Sequence, residues 1–195
     1  MSQSRTTYVI LGLLSIGPSG SGYDIRKAIE SSVGYFWSES YGQIYPALKR
    51  LTAEGLITPS VSASKPRQRR KEYSLTDAGR ACLREWLALP FQNDPPRNEF
   101  LLKLFFGREA PPSVSIGHIR ELRERNRRTL ATMLEIERFA QAQGSQNPHQ
   151  PFWMLTLSLG IAMTRAALEW GESALNQLSS LHTATTENSQ TAEKL

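Results

Sequence analysis

The stretch from Ser40 to Arg80 constrains this chain most, because each part of it dictates a different local structure. Ile44, Ala47, Leu48 and Leu51 recur at three- and four-residue spacing, which predicts an amphipathic helix from Ser38 or Ser40 to Glu54. Gly55 stands where a left-handed C-cap falls, and with Ser40 as N-cap, Gln43 occupies the N3 position of a capping box. Pro46 conflicts locally, since a proline past the first turn loses a helical hydrogen bond, yet the periodicity continues to Leu51. Then LITPSV and KEYSL, two short segments of partial alternation, flank the polar run SASKPRQRR. That pattern predicts a two-stranded hairpin with a long basic tip. Thr76 caps the next helix with Asp77 in its first turn, and Ala81, Leu83, Leu87 and Trp86 are expected on its buried side.

Upstream, the apolar run Thr6–Leu14 is too short for periodicity to separate helix from strand and is read as a helix. IGPSGSGY punctuates the chain, and Ser21 or its neighbouring glycines start a second helix with Tyr23, Ile25 and Ile29 on one apolar stripe. Helix, helix, helix, hairpin, helix therefore fills residues 1–90. PFQNDPPRNE, residues 90–99 with three prolines, ends the preceding helix and is expected to form a stiff linker over 91–98. Beyond it lie the short apolar segment EFLLKLFFG, a long helix from about Ser113 to Ala142, a break at AQGSQNPHQP, and a last helix from Phe152 to about Leu181. The two long helices predict an antiparallel hairpin. The last is apolar on more than one face, through residues such as Trp153, Leu157, Ile161, Leu168, Trp170, Leu175 and Leu178, and so requires a further partner. A second copy of the chain is the simplest one. The expected architecture is mainly α: a domain of three helices, hairpin and helix over 1–90, a helical domain over 99–182 that pairs with a second copy, and a flexible polar tail over 183–195.

Charge is distributed along the same division. The formal net charge is +5, and residues 1–90 carry 12 basic against 7 acidic side chains while residues 91–195 carry 11 of each. Five of the positive groups fall in KPRQRRK, Lys65 to Lys71, without an acidic residue among them. A charge run alone is as often solvated surface, but at a hairpin tip following three helices it suits duplex phosphates, whose neutralisation releases counterions. Arg67, Arg69, Arg70 and Lys71 are the candidates for phosphate or minor-groove contact. On the predicted third helix, Ser40, Tyr41, Gln43, Tyr45 and Lys49, with Arg50 beside them, offer donors and acceptors to phosphates or base edges in the major groove. Either tyrosine also suits a packing role.

GYDIRKAIESSVGYFWSESYGQIYPALKRLTAEGLI followed by KPRQRRKEYSLTDAGR resembles the PadR family of winged helix-turn-helix transcriptional regulators across nearly all of the first 90 residues. The resemblance implies that Ser38–Glu54 is the recognition helix, that Gln43 and Tyr45 belong to its motif, that Arg67–Lys71 form the wing, and that Pro46 is at home there. NEFLLKLFFG and the two long helices resemble the longer carboxy-terminal dimerisation region of one branch of these regulators. What this implies is a homodimer on a double-stranded DNA operator, acting as a repressor released by a small hydrophobic or aromatic effector. Trp153 and Trp170 are candidates to line an effector pocket, although core or dimer packing is the commoner fate of such residues.

Other classes are less well served. His118, His149 and His182 are widely separated, and metal-ligand spacings, clustered cysteines and a glycine-rich phosphate loop are missing, so the expectation is no enzyme, no metal and no cofactor. Cys82, the single cysteine, excludes an intrachain disulfide and favours a reducing compartment. Phe152–Met163 is interrupted by Thr156, Ser158 and Gly160 and soon meets Arg165, short of the roughly 20 residues that span a bilayer. A cytoplasmic protein without a membrane role is expected. The alternatives are a winged-helix module for RNA, or one whose basic face meets an acidic protein or a membrane surface.

Overall fold

A computed structural model describes residues 4–17, 19–37, 41–61, 71–92, 97–142 and 147–192, with side chains through residue 180 except at 41 and 61. The chain divides into two compact units, Met1–Asn93 and Asp94–Leu195. The first contains α1 (Arg5–Ile16), β1 (Gly20–Ser21), α2 (Gly22–Ser31), a 3-10 turn (Val33–Tyr35), α3 (Tyr41–Ala53), β2 (Ile57–Val61), β3 (Lys71–Leu75) and α4 (Asp77–Ala88). The second contains α5 (Glu99–Phe105), a 3-10 turn (Gly107–Glu109), α6 (Pro112–Ala142) and α7 (Gln150–Ala192).

In the first unit the local signals act as expected at most element ends. Ser21 caps α2 with a complete capping box: its hydroxyl accepts from the Asp24 N–H at 3.2 Å, and Asp24 accepts from the Ser21 N–H at 3.0 Å. α3 ends in a Schellman arrangement, with Leu56 N–H donating to Leu51 O (3.0 Å), Gly55 N–H donating to Thr52 O (3.2 Å) and Gly55 at φ +70°. Pro46 lies inside α3 but is exposed, so the Gly42 carbonyl it leaves without a helical donor can meet water. Ile44, Ala47, Leu48 and Leu51 are all buried, and with Ile10, Leu11, Leu14, Ile25, Ile29, Ile57, Tyr73 and Leu83 they form one core.

The hairpin is antiparallel, with Ile57 opposite Leu75 and Val61 opposite Lys71. Pro59 is tolerated because β2 is an edge strand in the order β1-β3-β2. The two-residue β1, which pairs Gly20 with Tyr73 and Ser21 with Glu72, has no sequence signal of its own. Its strand character comes from β3.

Three packing expectations are corrected. Tyr23 lies outside the Ile25–Ile29 stripe and is exposed. Ala81 and Leu87 of α4 are exposed, because Cys82 and Leu83 are the residues that pack on the core, while Trp86, itself 37% exposed, lies over α1. Trp86 stacks on Tyr8 with ring centroids 4.4 Å apart.

In the second unit α6 and α7 form the antiparallel pair. Gln150 Nε2 donates to Ala140 O at 3.0 Å, Met133 fits against Gly160, and the Arg123 stem lies over Gly171. Two glycines eleven residues apart on α7 thus receive two long side chains of α6. α7 is continuous to Ala192, well beyond the Leu181 at which polar composition suggested an end. The expectation that this region is too short for a bilayer also needs correction. By length and composition Gln150–Ser180 is long and apolar enough. Thr156 and Ser158 do not interrupt it, because their hydroxyls bond back to the Trp153 and Leu155 carbonyls at 2.8 and 2.9 Å.

Candidate nucleic-acid interface

Burial of Ile44, Ala47, Leu48 and Leu51 fixes how α3 is rotated. At about 100° per residue, Gly42, Pro46 and Lys49 lie opposite the buried stripe, with Gln43 and Tyr45 on its two flanks. Gln43, Tyr45 and Lys49 are exposed, and Lys49 has no acidic partner among the described residues. Ser40 lies outside the described residues, and Tyr41 opens α3 with its side chain undescribed.

Arg50, one residue beyond Lys49, serves the fold instead. Its Nη2 donates to the buried Thr7 hydroxyl of α1 at 2.9 Å, and its Nε lies 3.9 Å from Glu54. Two neighbouring cations on one helix therefore have separable roles. Arg50→Ala is expected to cost about 1 kcal/mol of stability and leave the salt dependence of duplex binding unchanged. Lys49→Ala is expected to lower that salt slope by about 1 with little change in melting. Thermal melts and binding titrations at four salt concentrations check both.

The hairpin provides the second part of the surface. Lys71 is exposed at the start of β3, its ammonium 5.7 Å from the ring centroid of Tyr73. Arg67, Arg69 and Arg70 lie outside the described residues; the register places them in the nine-residue connection between Val61 and Lys71. Tyr73 is buried, and burial followed by the neighbouring phenol of Tyr45 holds its hydroxyl above the ordinary tyrosine range.

The arginine-rich stretch of α6 is a different kind of surface. Arg125 pairs with Glu121 at 3.0 Å, and Arg127 and Arg128 both pair with Glu124 at 2.9 Å. Hydrogen bonds from Arg128 and Arg127, with their charges, hold the Glu124 carboxyl below its usual range. Three arginines thus share two carboxylates, which leaves one net positive charge, and these exposed pairs contribute little to stability.

Trp153 and Trp170 do not meet within a chain. They are separated by about 25 Å along α7. Trp153, 44% exposed, stacks on His149, and Trp170, 42% exposed, meets Phe100 of α5 edge-on at 5.8 Å. One pocket inside a single protomer does not contain both. Cys82 packs against the first unit's core, where burial, then Glu85 and Glu54, push its thiol upward and away from nucleophilic form. Among the described residues no group of three or more His, Cys, Asp or Glu is placed to hold a metal ion.

Residues 10–85 match the transcriptional regulator PadR-like family, and residues 96–179 match the carboxy-terminal domain of virulence activator alpha. The negative transcriptional regulator PadR of Bacillus subtilis is 44% identical over 101 residues, a match that spans 51% of this chain and 54% of that protein. Its structure in complex with operator DNA superposes with a TM-score of 0.79 at 29% identity, covering 90% of this chain and 99% of the other. Its structure with p-coumaric acid has a TM-score of 0.71 at 30% identity, with the same coverage. The virulence activator AphA of Vibrio cholerae gives a TM-score of 0.70 at 30% identity, again over 90% of this chain and 99% of that one. With both regions matched in order and the fold shared along nearly the whole of these regulators, the chain belongs to the PadR-like family of transcriptional regulators.

Proposed function

We propose that this protein is a sequence-specific double-stranded DNA-binding repressor, a cytoplasmic homodimer that leaves its operator when a small aromatic or hydrophobic effector binds. The observation that carries the reading is the outward side of α3. Gln43, Tyr45 and Lys49 stand exposed on a helix whose other side is core, in the same unit as a hairpin whose connection is basic. Phosphate contacts from that connection and Lys49 would fix register, while Gln43 and Tyr45 read base edges. The negative sign and the aromatic effector follow the Bacillus subtilis relative, described as a negative regulator and solved with operator DNA and with p-coumaric acid. Residues 1–90 and 99–182 then divide the work between DNA binding and assembly, joined by the proline-rich 91–98 linker.

Assembly is assigned to α7. Phe152, Leu155, Leu159, Met163 and Trp170 are exposed and recur on the side opposite the Ile161, Thr164 and Gly171 face packed on α6. In a soluble regulator a second copy covers that stripe. Leu159→Glu with Met163→Glu is expected to halve the mass measured by light scattering at micromolar concentration. A wild-type monomer would exclude the homodimer. Dimerisation sets two recognition helices about 34–36 Å apart, or a multiple of it, on a near-palindromic site.

The reading is tested by competing a duplex selected from a random pool against a scrambled duplex and against RNA over a range of salt. Preference for the selected duplex at every salt concentration is expected. Equal competition by RNA, or selection of no sequence at all, would overturn it.

A further inference from the structure

Gly22, the first residue of α2, is buried, and its backbone does not explain why it is glycine. Gly55 is the only described glycine with positive φ, so an alanine at 22 would meet no conformational penalty. The constraint is steric. A Cβ there would lie 2.8 Å from Cε1 and 3.2 Å from Cζ of Tyr45, and 3.3 Å from Cδ1 of Leu48.

The backbone at this point has little room to yield. Ser21 is held to Asp24 by the capping box and by a further 2.6 Å hydrogen bond from its hydroxyl, and it pairs with Glu72 of β3. Leu48 is buried in the core, so it has little room either. Tyr45, 57% exposed, is the group free to leave. Its ring thus rests on the bare backbone where β1 meets α2, with Tyr73 of β3 near its phenol.

We propose that Gly22 is a positioning residue for DNA recognition: the missing side chain seats the Tyr45 ring and so fixes one flank of the outward face of α3. This rests on the reading of α3 as the DNA-facing helix. Three elements then converge on one aromatic ring, and a methyl group placed away from the duplex would alter what the duplex meets.

The test compares wild type, G22A, Y45A and G22A/Y45A on a duplex that wild type selects from a random pool and on a scrambled duplex. G22A is expected to bind the selected duplex about tenfold more weakly, the scale of one lost contact, with scrambled-duplex affinity unchanged. In the Y45A background the same change should have no effect, since the ring it displaces is gone. An additive loss in the double variant, or full discrimination by G22A, overturns the proposal. Should G22A melt far below wild type, recovery of melting in G22A/Y45A supports the seat, and continued instability overturns it. Wild type that selects no sequence defeats the DNA-facing reading itself, and the proposed recognition role with it. Tyr45 ring resonances by NMR judge the seat independently of DNA: they move in G22A if the ring is displaced, and an unchanged ring environment overturns the seat.

Discussion

Replacing Arg67, Arg69 and Arg70 with alanine together is expected to weaken duplex binding about 100-fold at moderate salt and to lower the salt slope by about 3. The register of β2 and β3 fixes the stalk: Val61 and Lys71 are its last pair, and the three arginines fall in the nine-residue connection beyond it. They are three of the 12 basic residues in 1–90, the part of the chain that carries the whole net charge of +5. Phosphate contacts carry no sequence information, so the selected and scrambled duplexes should lose affinity by similar factors. Gln43→Ala should instead reduce discrimination while leaving the salt slope intact. The matching control is the Arg125, Arg127 and Arg128 triple alanine variant of α6, whose three guanidinium groups already lean on the two carboxylates of Glu121 and Glu124. Its salt slope should stay within experimental error of wild type. A wing variant with an unchanged slope would show that this loop does not meet the DNA backbone.

Gly79→Ala is expected to be the most damaging single methyl in the first unit, at about 3 kcal/mol, the upper part of the range for overpacking. Its Cβ would lie 2.1 Å from the Leu56 carbonyl oxygen and 2.8 Å from Leu75 Cδ1. That oxygen is already held: it accepts from the Thr76 N–H at 3.2 Å and from the Thr76 hydroxyl at 2.9 Å. The same hydroxyl accepts the Gly79 N–H at 3.0 Å, so the cap of α4 and the end of α3 share one crowded point. Relief requires moving backbone, and that pulls β3 and α4 away from the core. For a unit of this size the loss corresponds to a fall of about 12–24 °C in melting temperature. A thermal melt of the full chain followed by circular dichroism checks it; a fall below about 5 °C would show that α4 can shift to admit the methyl.

How far the fold could be read from residues alone depended on the range of the interaction that decides each feature. The inner stripe of α3, the Gly55 stop and the Thr76 cap follow from spacings of two to five residues, and each is legible; the hairpin register, which pairs Ile57 with Leu75, does not. Tyr23 and Leu87 were placed on buried stripes because they are apolar and well spaced. Their exposure is decided by where α1, α3 and β3 lie, which no local pattern contains. β1 has two residues and exists because β3 pairs with it. Arg50 and Lys49 look alike as adjacent cations; only Thr7, 43 residues away, separates a fold contact from an exposed charge. Trp153 and Trp170 already lie far apart on the one helix that the spacing predicts; only the structure shows that Trp170 meets Phe100 of α5.

The sequence by itself determined the period of the long helices, the Ser21 and Thr76 caps, the Gly55 stop of α3, and the concentration of net charge before residue 91, because these depend on covalent spacing and residue chemistry. Tertiary structure alone decided which flank of α3 turns outward, which cation is spent on the core, and why positions 22 and 79 carry glycine. Each of those depends on the approach of groups distant in sequence, where about an ångström separates a seat from a collision.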